Sequence, residues 1–146
     1  MNEELAISML GRAIQFSLAP VFLLSGIGPI LAVLSGRLSR IVDRARVLES
    51  RTEHATEEVV DRLHRELSTL SKRAKLVYRA ITLCCFTAMC VCAVVASLFV
   101  AAFFDLSAGI PLAVLFVTAM STFFAALLCF LREIFLATSN LRIGPH

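Results

Sequence analysis

At 146 residues the chain is at most one domain of ordinary size, 58% hydrophobic and with a formal net charge of +3. Its mean hydropathy of +0.83 and the clustering of its charges exclude a soluble helical bundle, whose helices would each need a polar face. A disulfide-stapled fold is excluded too, because Cys84, Cys85, Cys90, Cys92 and Cys129 all fall in apolar stretches, where free cysteine acts as a small hydrophobe.

Three stretches carry no Asp, Glu, Lys or Arg: Ala13–Gly36, Ala80–Phe104 and Leu106–Leu131. Each exceeds the roughly 20 apolar residues that a helix needs to cross about 30 Å of hydrocarbon. The expected fold is therefore an all-α membrane protein, a single membrane domain over residues 1–146. Its three transmembrane helices fall near 14–36, 80–104 and 109–131, with a cytoplasmic antiparallel helical hairpin over about 37–79 between the first and second. The first block follows Glu3 and Glu4 rather than a basic segment, so it is expected to stay as an anchor and not to be cleaved.

The first span is punctuated by Pro20, Gly26, Gly28 and Pro29. Proline lacks an N–H and crowds the carbonyl one turn back, which predicts a bend over Ser25–Pro29 with the Phe16 and Ser25 carbonyls freed. Freed carbonyls in hydrocarbon must be met within protein or in a wet cavity. Gln15, Ser17, Pro20, Ser25, Gly26, Gly28 and Pro29 are thus the helix-bend residues and the candidate pore lining. The alternative is a bend that serves packing alone, with the Ser25 hydroxyl bonded back to its own helix.

Beyond Gly36 the helix is expected to continue out of the membrane. Arg37, Arg40, Arg44 and Arg51 form a basic juxtamembrane stripe, and Leu38, Ile41, Ala45 and Leu48 an apolar face. Thr56 before Glu57 and Glu58 reads as an N-cap. The returning helix carries Leu63, Leu67 and Leu70 near heptad spacing, so these residues and the apolar face of the outgoing arm form the hairpin seam. Eleven of the fourteen Lys and Arg residues lie in 37–79. The positive-inside rule then puts the amino terminus outside and both the hairpin and the carboxyl terminus inside.

The connection Asp105–Gly109 is tight, and Pro111 suits a first helical turn. Small residues that allow close approach are expected at the contact between the second and third spans: Ala93, Ser97 and Ala101 against Thr118, Thr122 and Ala126. After Arg132 and Glu133 a short tail is expected.

The run Ala19–Gly28 followed by Gly36-Arg37-Leu38-x-Arg40-Ile41-Val42-Asp43-Arg44-Ala45-Arg46 resembles a bacterial family catalogued as domain of unknown function 2721. The resemblance implies a small multi-pass bacterial membrane protein, for which the inner membrane is the expected location, and brings no activity or catalytic residues.

The residues themselves argue against an enzyme. No acid or histidine lies in a span to serve as base, ligand or relay, and no cofactor, metal or catalytic residue is implied. Cys85 and Cys92 share a face seven apart, but adjacent thiols diverge on a helix, so packing is the simpler use of the cysteines. Interleaved acids and a lack of stacking aromatics speak against nucleic acid. Anionic lipid headgroups are the expected neighbours of the stripe. Two functional classes remain. One is a homo-oligomer with a passive channel or transport-related role, in which the stripe rings the inner mouth. The other is a membrane-anchored scaffold or regulator that binds an unidentified cytoplasmic helical partner through the hairpin. A pore requires the first span's polar and glycine positions to face a wet axis; a scaffold requires an exposed apolar strip on the hairpin.

Overall fold

The computed structural model describes residues 2–52, 57–104 and 109–139. They form three helices, α1 over Asn2–Thr52, α2 over Glu57–Phe104 and α3 over Gly109–Ser139. Each contains a segment long and apolar enough to cross a membrane. Within those apolar windows only 22%, 28% and 11% of residues are buried, so most of their large side chains need lipid around them. The protein is an all-α membrane protein. Thr56 and residues 105–108, on which the expected N-cap and most of the expected tight connection fall, lie outside the described residues.

α1 is unbroken through both of its internal prolines. Serines lie close by on the same helix. The Ser17 hydroxyl donates to the Ile14 carbonyl and the Ser25 hydroxyl to the Phe22 carbonyl, both at 2.8 Å. Ser25 is therefore bonded back one turn, the packing alternative for that serine. Threonines in the apolar stretches are satisfied in the same way. Thr82, Thr87 and Thr118 donate to carbonyls four residues back, which removes the penalty of a hydroxyl in hydrocarbon.

Burial along the helices follows a seven-residue period. On α1 the buried positions include Ala13, Pro20, Ile27, Leu34, Ile41 and Leu48; on α2 they include Leu70, Val77, Cys84 and Val91. On α3 they are Ala119, Ala126 and Glu133. A strict heptad keeps one seam facing its partner.

The chain divides into two compact units, Met1–Ile30 with Leu83–Phe124, and Leu31–Thr82 with Ala125–His146. In the first, Cys90, Val91 and Ala119 form a core flanked by Leu23, Leu24 and Leu115. The Thr87 and Thr122 hydroxyls meet across α2 and α3 at 2.9 Å. Of the expected small-residue stripes, Thr122 makes this contact and Ala126 is buried, but Ala93 and Thr118 are exposed. The buried side of α2 is instead Cys84, Thr87, Val91 and Val94. Side chains of that size fill a heptad seam better than alanine and serine do.

In the second unit the two hairpin arms pack on each other. Ile41, Leu48 and Leu70 are buried, and Leu38, Ala45, Leu63 and Leu67 partly so. Arg44 pairs with Glu66 across the arms at 2.9 Å. α3 runs on to Ser139, past the expected end of its membrane span near Leu131. Ile134, Leu136 and Ala137 each keep a half-buried side, so the helix continues along the unit and Glu133 is buried in it.

Candidate functional site

The feature that most constrains function is a charge cluster in the second unit, built from all three helices. Arg37 is the first charged residue of α1 after its uncharged block. Arg73 sits on α2 one turn beyond Leu70, and Glu133 occupies the heptad position of α3 that follows Ala119 and Ala126. Glu133 is fully buried and, among the described residues, the one charged side chain in the buried class.

Two arginines hold this carboxylate. Arg37 Nη1 donates to Oε2, while Arg73 Nε and Nη2 donate to Oε1 at 3.1 and 2.9 Å. Charge-assisted bonds of this kind are roughly twice as strong as neutral ones. The Arg37 guanidinium also lies over the Phe130 ring, 5.3 Å from its centroid, a cation–π arrangement three residues before Glu133. No buried side-chain nitrogen or oxygen among the described residues lacks a hydrogen-bond partner. The carboxylate is thereby tolerated where a lone charge would not be.

Beside the cluster lies a recess of about 320 Å³ lined by Arg37, Arg40, Ile41, Arg44, Leu70, Arg73 and Ala137. A second recess of about 440 Å³ adjoins it through Arg44, Leu70, Arg73 and Ala137, and adds Arg65, Glu66 and Thr69. Of the basic stripe, Arg37, Arg40 and Arg44 reach this site, and Arg51 is exposed outside it. A groove of about 540 Å³ runs along the hairpin, with Ile41, Ala45, Leu67 and Ala74 in its wall and Arg46, Glu49 and His64 also lining it.

The expected pore-lining residues separate in the first unit. Ser17 and Pro20 are buried within the chain, whereas Gln15, Ser25, Gly26, Gly28 and Pro29 are exposed. A Cβ built on Gly26 or Gly28 would meet open space. Gln15, Phe22, Gly26 and Pro29, spaced 7, 4 and 3 apart, share one outward face of α1.

The cysteines scatter. Cys84 and Cys90 are buried, Cys85 and Cys92 exposed, and Cys129 intermediate. Among the described residues no group of three His, Cys, Asp or Glu side chains could hold a metal ion.

Sequence reasoning passed over Glu133 and Arg73. The readable signal was a lone acid closing the third apolar block at seven-residue spacing from Ala119 and Ala126. Arg73 looked like any other cation of the hairpin, and only packing distinguishes it.

A family model matches residues 17–143, and the chain belongs to that family, described as Protein of unknown function (DUF2721). No curated protein and no solved structure is detectably similar to it.

Proposed function

We propose that this family member is a homo-oligomeric protein of the bacterial inner membrane, with its amino terminus outside and its carboxyl terminus in the cytoplasm. Copies gather around the outward face of α1, which turns toward a wet central axis, and the closed assembly is a passive conduit. The observation that carries this reading is the Gln15–Phe22–Gly26–Pro29 face, which the single chain leaves exposed in an uncharged apolar block. An amide facing hydrocarbon is costly without a partner, and a glycine notch four residues from a phenylalanine suits close helix approach. The orientation rests on the Lys and Arg excess over residues 37–79. The proposal includes no enzymatic step.

The test is subunit number by native mass spectrometry, then ion flux in liposomes, for the wild type and Gly26→Leu. Because the new side chain meets open space in one chain, Gly26→Leu should leave the monomer's thermal stability intact and dissociate the oligomer. A monomeric wild type with no flux under any gradient overturns the reading.

The hairpin groove lined by Ile41, Ala45, Leu67 and Ala74 supports a second reading, a scaffold that docks an amphipathic partner helix. Burial of Ile41, Leu48 and Leu70 weighs against it, since the seam is already occupied by the hairpin itself. Retention of a cytoplasmic protein on immobilised wild type, lost in Ala45→Glu, would favour the scaffold.

A further inference from the structure

We propose that the arginine-lined recess beside Glu133 is a binding site for a phosphoryl group of net negative charge, either an acidic phospholipid headgroup or a free phosphate. The inference does not rest on the conduit reading and would survive its failure. The two adjoining recesses present Arg37, Arg40, Arg44, Arg65 and Arg73. Two carboxylates answer them: Glu133, held by Arg37 and Arg73, and Glu66, paired with Arg44. Five guanidiniums against two carboxylates leave three positive charges in excess, shared by the two adjoining recesses.

Positive-inside topology alone does not produce this arrangement. That rule requires cations in the loop, but places no demand on their convergence. Here guanidiniums from α1 and α2 line one recess with Ile41, Leu70 and Ala137 between them. Such a wall lowers the local dielectric and strengthens the field on an anion held there. Guanidinium forks match phosphoryl oxygens two at a time, which an ammonium does not. The volume of about 320 Å³ lies at the small end of the range of roughly 300–1,000 Å³ for ligand sites, enough for a phosphate with a short polar substituent. Glu133 has a second role in this scheme. By holding Arg37 and Arg73, it fixes two of the four arginines of the recess of about 320 Å³ before any ligand arrives, which reduces the ordering cost of binding.

The experiment uses the full chain in phosphatidylcholine nanodiscs, titrated calorimetrically with inorganic phosphate. In parallel, native mass spectrometry follows retention of phosphatidylglycerol against phosphatidylcholine. The diagnostic variant is Arg40→Gln with Arg44→Gln, which leaves the Arg37–Glu133–Arg73 cluster whole. Its charge-matched control is Arg46→Gln with Arg62→Gln, outside the recess. The first pair should weaken binding about tenfold or more, from the loss of two charge-assisted contacts, and the control should leave it unchanged. Glu66→Gln, which frees Arg44, should tighten binding severalfold, an effect that misfolding cannot imitate. Calorimetric binding of phosphate identifies a soluble ligand. Selective retention of phosphatidylglycerol that depends on Arg40 and Arg44, with no response to phosphate, identifies a lipid headgroup. Equal weakening by the two double variants, or no binding of either probe by the wild type, overturns the proposal.

Discussion

Replacing Glu133 by glutamine keeps the side chain's shape and removes its charge. The amide must present its oxygen to one arginine and its NH₂ to the other. Arg73 donates two bonds and Arg37 one, so the oxygen should remain with Arg73. The NH₂ then faces the Arg37 guanidinium, donor against donor, and the bonds to Arg73 fall from charge–charge to charge–neutral. Breaking a buried ion pair by removing one partner costs about 3–5 kcal/mol. The Arg37 and Arg73 side chains stay 32% and 25% exposed and can recruit water, so the low end, about 3 kcal/mol, applies. For a chain of this size that corresponds to a fall in midpoint on the order of 10 °C. The assay is thermal unfolding of detergent-solubilised protein followed by size-exclusion chromatography, with circular dichroism on the same samples. A double-mutant cycle with Arg37→Gln should show coupling, because the second substitution removes the donor–donor conflict. A Glu133→Gln midpoint within about 2 °C of wild type, or strict additivity in the cycle, would refute the ion-cluster argument.

Arg73→Gln should destabilise more than Arg37→Gln, because it strips two of the three bonds from a carboxylate that has no exposure; the order of the two midpoints checks this. Thr122→Val removes the hydroxyl that meets Thr87 and should cost about 0.6 kcal/mol, the average for interhelical hydrogen bonds in membranes, measured by denaturant titration in mixed micelles. Leu34→Ala, at a fully buried seam position, should cost about 2–5 kcal/mol, whereas Val33→Ala, which is 51% exposed, should stay within about 0.5 kcal/mol. Glu66→Ala should change stability by less than about 1 kcal/mol, because its pair with Arg44 is solvent-exposed. Its unfolding midpoint in low and high salt is the check.

Much of the architecture was legible in the chain itself. Hydrocarbon thickness sets a length that Ala13–Gly36, Ala80–Phe104 and Leu106–Leu131 each satisfy without a charge, and heptad-like leucines over Leu63–Leu70 marked the returning arm. Those signals are local and need no partner to be read. Tertiary structure decided what depends on a neighbour. Whether Pro20 and Pro29 interrupt α1 could not be read from the residues alone, and the helix runs through both. Ser17 and Gly26 looked alike as polar or small members of one span, but packing buries the first and leaves the second open. Most of all, Glu133 and Arg73 resembled surface charges at the edge of apolar blocks. A buried carboxylate is stable only where cations from other helices reach it, and no periodicity along a single helix records which arginine arrives from another.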